Sequence, residues 1–553
     1  MSSRKRNLPV GGNAIVAEQG VEVLPGTEIM TDLDGVHFAH ANHSDQSAVL
    51  VPQPSSHPND PLNWSPRWKA TVIASQAVFV LVSQIGTLSI APLMQTYEEE
   101  FHKSITPIAL LTGATVLALG YANFVIIPLS DVFGRRIALL VCASISFGSY
   151  IWQALATSYG SFLGARILNG IGAASNESIM TVVIADIFFL HERGKWMGIY
   201  FALYNGGTYV GPIISGAIGA RTSWRWFFWA CAISQGLVLA TLFFTFPETR
   251  RTDYSGLSNT VSPQLRPASS SDEESLPSDE KHSTWKATTT TLSSPSDVVQ
   301  GSGHPRISQF RLGQAADRQA LRHVLRHIIT PFVVFFFPVI TWSAFTFSFA
   351  SDSILLVNLV QSQALAAPPY NFSPQSVGFT NFALLIGTLV AMAIAGPWSD
   401  WVAMKATKRN NGVREPEMRL PALLPFIGMH ILGLTICGVG WQHGWAWEAI
   451  VVLGFSLIGC ATCGIMAISI TYAVDSYKPV AGQIMVVSTV IKNTFGFGMT
   501  YWVNDMVVKD GYVIPFMIFL ALEAGVALIG IAFFHAFGKN MRRLTKDAAV
   551  HSF

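Results

Sequence analysis

The side chains with the greatest chemical potential in this 553-residue sequence are a few ionisable groups set inside long apolar stretches. Glu177 lies near the middle of one stretch, and Lys492 lies midway along another. A carboxylate taken out of water can bind and release a proton, so Glu177 is a candidate proton carrier, with a structural hydrogen bond or ion pair as the alternative. Lys492 lies too deep to reach water easily and could pair with a carboxylate or bind an anionic molecule.

Two further ionisable residues, Arg166 and Asp352, stand near the ends of apolar stretches. An arginine in an apolar environment is costly, so Arg166 should face a cavity or a carboxylate unless its side chain extends to the membrane surface. Asp352 follows an aromatic stretch and could lie at the outer mouth of a cavity. We therefore include both, with Glu177, as proton-coupling candidates.

Polar and aromatic residues in the same stretches are candidates for contact with a small molecule. Those selected, together with Lys492, are Asn176, Tyr200, Tyr204, Asn205, Trp342, Phe345, Asn381 and Asn493. For the aromatic residues, packing against lipid or other helices is the alternative. We expect His430, in another apolar stretch, to pack or to form a hydrogen bond.

The composition indicates which elements position these residues. Half of the residues are hydrophobic, 12% are charged, and the mean hydropathy is +0.40. A soluble protein of this size needs roughly twice that charged fraction to cover its surface. The apolar residues also occur in blocks of about 20, the length that a helix needs to cross a bilayer. The sequence therefore predicts an all-α polytopic membrane protein.

Twelve apolar blocks predict twelve transmembrane helices in two groups of six. The predicted spans are 69–92, 108–129, 137–156, 161–189, 196–219, 223–246, 327–350, 375–396, 421–441, 446–473, 480–504 and 512–536. The predicted domains are a disordered tail over 1–67, a six-helix bundle over 68–246, a mostly disordered connector over 247–326, a second bundle over 327–537 and a short tail over 538–553. Tail and connector are polar and lack the apolar residues that a core requires.

The distribution of lysine and arginine predicts the orientation in the membrane. With the N-terminus in the cytoplasm, 29 of the 35 Lys and Arg residues fall on the inner side. The outer loops then hold Lys103, Arg221, Arg225 and Lys509. Because positive charge is enriched in cytoplasmic loops, we expect both termini to be cytoplasmic.

A charged loop after the second apolar block recurs, in weaker form, after the eighth. The first reads Pro-Leu-Ser-Asp-Val-Phe-Gly-Arg-Arg and includes Asp131, Gly134, Arg135 and Arg136, and the second reads Gly-Pro-Trp-Ser-Asp-Trp and includes Asp400. The first loop resembles the signature of the major facilitator superfamily, in which Asp-x-x-Gly-Arg-Arg/Lys joins the second and third helices. Recurrence in both halves is typical of a duplicated six-helix unit. The resemblance implies the two-bundle fold of that family; an ordinary interfacial charge cluster is the alternative.

The fifth apolar block carries the most specific pattern. Its spaced residues are Gly198, Gly207, Gly211, Pro212 and Gly216. Small residues at such intervals let helices approach closely, and a proline is expected to bend the helix. The pattern resembles the antiporter motif of the twelve-span drug:proton antiporters, with Ser215 in place of a glycine, and in that branch the motif is associated with export. Arg166 also begins a segment similar to a second family motif, Arg-x-x-x-Gly-x-Gly, and residues 59–64 resemble the entry of many fungal members.

The resemblance implies a secondary active transporter. The fifth-block pattern favours a proton-coupled exporter of a small organic compound, such as a drug, toxin or secondary metabolite. The alternative is a proton-symport importer of a nutrient such as a polyamine, another organic cation or an organic acid, since Lys492 and Arg166 leave the charge of the substrate open. An ATP-driven pump is disfavoured because the sequence contains no Walker-type phosphate loop.

Other functional classes have little support in the sequence. A membrane sensor would need a folded cytoplasmic extension, and an enzyme would need a nucleophile–base pair or a metal cluster. We expect no cofactor, no metal and no nucleic-acid partner, with a proton gradient as the energy source. We also expect a monomer in the plasma membrane, with the vacuolar membrane as the alternative.

Overall fold

The computed structural model describes residues 26–29, 60–250, 303–311, 328–410, 413–477 and 480–545. Within these ranges, twelve helices have the length of a membrane span. They are α1 (Pro66–Ile85), α2 (Ile105–Phe133), α3 (Arg135–Leu155), α4 (Tyr159–Ile187), α5 (Leu190–Gly219), α6 (Arg225–Thr245), α7 (Pro338–Ala366), α8 (Pro374–Arg409), α9 (Leu424–Gln442), α10 (Ala449–Ser476), α11 (Ala481–Asp510) and α12 (Val513–Leu544). Ten helices are long and apolar enough to cross a membrane by length and composition, and α5 and α11 each have 30 residues. The predicted all-α polytopic fold is confirmed.

Shorter elements connect these helices. They are 3₁₀ helices at Pro61–Asn63, Ala91–Leu93, Ile307–Phe310 and Pro416–Leu423, short helices at Met94–Phe101 and 328–335, and two strands, β1 (Glu28–Ile29) and β2 (Val413–Arg414). The strands pair antiparallel, with Glu28 opposite Arg414.

Several helix boundaries follow directly from the residues that occupy them. Ser65, Ser158 and Ser373 precede α1, α4 and α8, and each hydroxyl accepts a hydrogen bond from a backbone N–H of the first turn. α2 ends at Phe133 because Gly134 has a φ of +97°, a conformation that glycine adopts without strain. α3 therefore begins immediately after α2, in a new direction.

The fourth helix is broken near its middle. Helical segments over Tyr159–Ala173 and Ser175–Ile187 meet at a turn at Ala174. Irregular backbone at membrane depth is tolerated where it is buried in protein. The break places the start of the second segment, which carries Glu177, in the interior of the bundle.

The two groups of six helices meet along two helix pairs. α5 lies against α8, and α2 lies against α11. A methyl group added to Gly216 on α5 would lie 2.7 Å from the carbonyl oxygen of Pro374, and one added to Gly120 on α2 would lie 2.7 Å from Cβ of Asn493. Small residues therefore let the bundles approach to backbone distance.

The seventh helix differs from its predicted span of 327–350. The structure has a short helix over 328–335 and then α7 over Pro338–Ala366, so Asp352 lies at the middle of the membrane-length helix and not at its mouth. The polar residues after 350 ended the predicted span because they lower its hydropathy. They are accommodated because α7 is almost entirely enclosed by other helices, so these side chains do not meet lipid.

Some residues of the predicted tail and connector fall within the described ranges. Glu28 and Ile29 form β1, residues 60–67 include a 3₁₀ turn and the start of α1, and residues 303–311 pack on the N-terminal bundle through the Glu248–Gln309 backbone hydrogen bond. The rest of 1–67 and of 247–326 lies outside the described residues. At the other end, α12 continues past 537 to Leu544 because Arg542 is held by Glu415 and Glu417.

Candidate functional site: a cavity between the two bundles

A small cavity lies between the two bundles. Its volume is about 40 Å³, which accommodates water and is far below the roughly 300 Å³ or more of a site that encloses an organic ligand. Its polar lining residues are Gln84, Thr87, Glu177, Tyr204, Asn205, Thr208, Ser351, Asp352, Lys492 and Asn493. The structure thus brings together, from α1, α4, α5, α7 and α11, six of the residues selected from the sequence.

Glu177 is the centre of a hydrogen-bond cluster in this cavity. Its Oε1 accepts hydrogen bonds from the Tyr204 hydroxyl and the Lys492 ammonium group. Its Oε2 accepts a bond from Asn493 Nδ2 at 3.0 Å, and Lys492 Nζ also lies 3.0 Å from the Tyr204 oxygen. Glu177 and Tyr204 belong to the N-terminal bundle, whereas Lys492 and Asn493 belong to the C-terminal bundle. The ion pair therefore joins the two halves of the molecule.

Asp352 contributes a second carboxylate to the same cavity. Its side chain is 3% exposed, and among the described residues its Oδ2 has no hydrogen-bond partner. Lys492 is the one lysine or arginine among the lining residues. With both carboxylates ionised the cavity has a formal charge of −1, and a buried carboxylate without a partner is costly. The cavity can lower this cost by binding a proton or a cationic group.

The position of Glu177 follows from the small residues that precede it on α4. A methyl group added to Gly170 would lie 2.3 Å from the Thr115 carbonyl oxygen on α2, and one added to Gly172 would lie 2.6 Å from the Ser146 nitrogen on α3. The first half of α4 is therefore packed at backbone distance on two neighbours. This packing and the break at Ala174 aim the second half at the centre of the molecule.

Arg166 is fully buried and forms hydrogen bonds to backbone carbonyl groups. It donates to the oxygens of Gly86 and Thr87 at 2.6 Å each, and to Leu111 at 3.3 Å. The alternative in which the side chain reaches the membrane surface is wrong, because Arg166 is 0% exposed and its guanidinium is bonded to carbonyl groups of α2 and of the segment after α1. Arg166 thus fixes the backbone beside the cavity residue Thr87.

The other selected residues lie outside the cavity lining. Tyr200 donates to the Asn176 carbonyl oxygen at 2.5 Å, Trp342 donates to the Val526 carbonyl oxygen at 2.9 Å, Phe345 stacks on Phe349, and Asn381 donates to Gln361 at 3.3 Å. Sequence reasoning missed Gln84, Thr87, Thr208 and Ser351, since glutamine, threonine and serine are common in membrane helices. Only their place in the fold distinguishes them.

The charged loop after α2 forms a cluster with the end of α6. Arg135 pairs with Asp131, and its Nε lies 3.8 Å from Asp186. The carboxylate of Glu248 accepts the backbone N–H groups of Arg135 and Arg136 at 2.9 and 3.1 Å, which caps the N-terminus of α3. A methyl group added to Gly134 would lie 2.2 Å from that carboxylate. Arg136 donates to the Phe246 and Phe243 carbonyl oxygens, so it ties α3 to the end of α6.

A second cluster stands at the matching place in the C-terminal bundle. Arg419 bridges Asp400 at 3.1 Å and Asp475 at 3.4 Å, and it donates to Ser399 at 2.8 Å. Arg542 pairs with Glu415 at 2.6 Å and Glu417 at 2.8 Å. The weak second loop of the sequence therefore does mark a charge cluster, with its arginine supplied from further along the chain.

The spaced residues of α5 pack this helix on α1 and α8. Methyl groups added to Gly207 and Gly211 would lie 2.5 and 2.1 Å from the carbonyl oxygens of Leu81 and Ile85 on α1. Ser215, the departure from the pattern, donates to the Ser89 carbonyl oxygen at 2.6 Å.

Two further residues of the pattern face the opposite bundle. Gly216 meets Pro374, and Gly198 faces Gly396 on α8. The helix itself continues unbroken through Pro212. The pattern thus places α5 in close contact with one neighbour from each bundle.

Two six-helix bundles around a central charged cavity define a membrane-embedded carrier protein. The family model described as Major Facilitator Superfamily matches residues 77–500. The chain belongs to this superfamily.

Individual relatives and a solved structure agree with that assignment. The chain is 28% identical to an uncharacterized MFS-type transporter of Schizosaccharomyces pombe, over 92% of each chain. It is 25% identical to a probable efflux pump, mfs2, of Aspergillus flavus, over 82% of this chain and 98% of that protein. The solved structure of the proton:xylose symporter XylE matches with a TM-score of 0.56 at 13% identity, covering 86% of this chain and 96% of the symporter, which supports the fold alone.

Proposed function

We propose that this secondary transporter is a proton-coupled exporter of a small organic compound, with Glu177 as the proton carrier. The observation that carries the proposal is the buried contact of Glu177 with Lys492 and Asn493 of the opposite bundle. Any motion that opens the cavity between the bundles must break this contact. The protonation state of Glu177 therefore acts on the same equilibrium as the opening of the carrier.

The coupling works through the charge of the carboxylate. While Glu177 is ionised, its bonds to Lys492 and Asn493 hold the two bundles together at the cavity. A proton on Glu177 removes the charge and weakens the ion pair, so the bundles can separate and expose the cavity. Loss of the proton on the other side restores the pair. In antiport the substrate then takes the place of the proton: it separates Glu177 from Lys492 and opens the cavity for the half-cycle in which the proton is absent.

Export is supported by two observations. The fifth helix carries the spaced glycines and proline that resemble the antiporter pattern, and they pack α5 against α1 and α8. A relative from Aspergillus flavus, 98% of which is covered by the match, is named a probable efflux pump. The second candidate, proton-symport import of an organic cation, is favoured by the excess carboxylate of Asp352 in the cavity.

We further propose that the chain acts as a monomer in the plasma membrane with both termini in the cytoplasm. The excess of Lys and Arg in the loops at the Asp131 and Asp400 end of the helices supports the cytoplasmic position of the termini. Protons, supplied by the membrane gradient, and one organic solute are the proposed ligands.

The direction of transport is tested in intact cells. A panel of labelled organic cations, anions and neutral compounds is loaded into cells that lack or overexpress the protein, with and without a proton gradient. We expect overexpression to lower the accumulation of at least one compound only when the gradient is present. A compound that accumulates more on overexpression would overturn export and support the import candidate.

The role of Glu177 is tested by Glu177→Gln, with the exposed Glu99→Gln as matched control. We expect Glu177→Gln to reduce gradient-driven transport at least tenfold while the protein still reaches the membrane. Glu99→Gln should transport normally. An unchanged pH dependence of transport in Glu177→Gln would remove this residue from the coupling mechanism.

A further inference from the structure

A second buried acid–base pair lies entirely inside the C-terminal bundle. His430 on α9 and Glu523 on α12 are both 0% exposed, and His430 Nδ1 lies 2.9 Å from Glu523 Oε1. The contact is close but is not aligned as a hydrogen bond, and Glu523 Oε2 has no hydrogen-bond partner among the described residues. Neither residue lines the central cavity.

The other ring nitrogen of His430 contacts a hydroxyl chain. Nε2 lies 2.9 Å from Ser353 Oγ on α7, and Ser353 Oγ lies 2.7 Å from the carbonyl oxygen of Ala350. Thr462 on α10 lies 3.3 Å from Ser353 Oγ, and its hydroxyl is 3.2 Å from the same Ala350 oxygen. Four helices therefore meet at one imidazole–carboxylate pair.

This arrangement is compatible with two protonation states. In the first state, the Ser353 hydroxyl donates to the Ala350 carbonyl oxygen, and the Ser353 oxygen accepts the Nε2–H of His430. If Nδ1 of His430 carried no proton in this state, its lone pair would face the Glu523 carboxylate, and two acceptors would repel each other. One proton on the pair resolves that repulsion. If Ser353 donates instead to Nε2, then Nδ1–H faces Glu523 and the pair holds one proton fewer. Thr462 can still supply the donor to Ala350 in this second state.

The two states differ in charge by one unit. The protonated pair is a neutral ion pair of imidazolium and carboxylate, and its deprotonation releases one proton to solvent and leaves Glu523 negatively charged. A lone charge at a fully enclosed site is costly, so the packed structure favours the protonated pair. Release requires that water reach the pair, as happens when helices move apart.

The surrounding ionisable groups do not neutralise this pair. They lie on the elements packed against α9 and α12 and on these two helices themselves. The set is Asp352 on α7, Cys460, Cys463, Tyr472 and Asp475 on α10, Lys492, Tyr501, Asp505, Lys509 and Asp510 on α11, Glu417 and Arg419 in the 3₁₀ segment before α9, Cys437 on α9, and His535, Lys539, Arg542 and Arg543 on α12. Within the described part of the chain, none of them forms an ion pair with His430 or Glu523.

We propose that His430 and Glu523 form a second proton-binding site, which holds one proton between α9 and α12 and is linked to α7 through Ser353. Ser353 directly follows Asp352 in α7, so the hydroxyl that changes its hydrogen bond and a carboxylate of the central cavity belong to the same helical turn. Proton occupancy inside the C-terminal bundle thereby acts on the helix that lines the transport site. This site is separate from Glu177 and does not depend on the direction of transport.

The test counts protons on the purified full-length protein in detergent. Proton uptake between about pH 9 and pH 5 is measured with an indicator dye for the wild type, His430→Gln, Glu523→Gln and the double variant. A lone buried imidazole stays neutral and a lone buried carboxyl stays protonated, so each single variant loses the shared proton. We expect each single variant and the double variant to take up the same one proton fewer than the wild type.

Two controls distinguish the loss of the shared proton from the effect of removing an ordinary histidine and from the effect of changing Glu177. The exposed His535→Gln on the same helix should change proton uptake by the same amount with and without His430→Gln. Glu177→Gln should change uptake independently of Glu523→Gln, so the two proposals fail separately. Full uptake in the His430 and Glu523 variants, or a loss of two in their double variant, would overturn the proposed site. If one single variant does not elute as a folded protein, the proton uptake of the other single variant, compared with that of the wild type, tests the proposal.

Discussion

Each bundle has a charge cluster in which an arginine pairs with an aspartate of its second helix, but the two arginines come from different places in the chain. In the N-terminal cluster, α2 stops at Phe133, and Arg135 follows only four residues after Asp131. In the C-terminal cluster, α8 continues nine residues past Asp400 to Arg409, and the arginine that meets Asp400 is Arg419.

The difference arises from one residue at the matching position. Gly134 stands three residues after Asp131, takes a positive φ and lets the chain reverse at once. Ala403 stands three residues after Asp400, inside α8, and helix formation continues there. The later return of the chain brings Arg419 to the place that Arg135 occupies in the other bundle. A duplicated unit can therefore conserve a charge arrangement without conserving the order of its residues.

Removal of Arg419 from the C-terminal cluster should destabilise the protein more than removal of Arg135 from the N-terminal cluster. Arg419 is 2% exposed and holds two carboxylates, whereas Arg135 is 11% exposed and pairs closely with one. We expect Arg419→Met to lower the free energy of unfolding by about 3 kcal/mol and Arg135→Met by about 2 kcal/mol. Denaturant unfolding in mild detergent measures both. The exposed Arg409→Met serves as control, and equal losses at Arg135 and Arg419 would contradict the ranking.

Substitution of the turn glycine should affect only the N-terminal cluster. Gly134→Ala forces a side chain into a positive φ and places its methyl group against the Glu248 carboxylate that caps α3. We expect a loss of about 2 kcal/mol in the free energy of unfolding. Gly148, on the α3 helix that Gly134 precedes, has open space around it, so Gly148→Ala should leave the free energy of unfolding unchanged. Similar values for the two glycines would show that the turn is not the source of the difference between the bundles.

Acid should weaken a contact that only the C-terminal cluster has. Glu415 accepts hydrogen bonds from Arg542 at 2.6 Å and from Thr27, beside β1, at 2.9 Å. Although burial opposes the shift, hydrogen bonds from Arg542 and Lys539 lower the pKa of Glu415 below its usual 4.5. Its stabilising effect is complete above that usual value and is lost as the pH falls through the lower pKa of the folded state.

We expect the wild type to lose stability in this acid range and Glu415→Gln not to show this loss. Unfolding of the two proteins is compared at pH 7 and at successively lower pH values. The exposed Glu448→Gln provides the control and should retain the wild-type pH dependence. An identical acid response in Glu415→Gln would assign the effect to another group.

Much of the fold could be predicted because hydrocarbon imposes strict conditions on a chain. Twelve apolar blocks, the repeated Asp131 and Asp400 loops and the glycines of the fifth block all have direct counterparts in the helices and their contacts. The seventh helix could not be placed correctly, since hydropathy reports lipid exposure and α7 is enclosed by protein. The polar half of α7, with Asp352, therefore looked like a loop.

The charged residues of the candidate site could be predicted from the sequence, but the partners with which they pair could not. Glu177, Asp352 and Lys492 stood out because charge in an apolar block is costly. The partners Glu177 and Lys492 are 315 residues apart in the chain, and no local pattern relates them. His430 gave even less indication, since its partner Glu523 comes from another helix and neither lies in a recognisable motif.

The sequence by itself determined that the chain crosses a membrane in two related groups of six helices, because the length and order of apolar blocks are local properties. Only the tertiary structure decided which charges neutralise one another. Glu177 meets the opposite bundle, Arg419 replaces a missing neighbour of Asp400, and His430 shares its site with Glu523. These pairings depend on how helices pack across the molecule, and a buried charge is stabilised by whichever partner the fold brings to it.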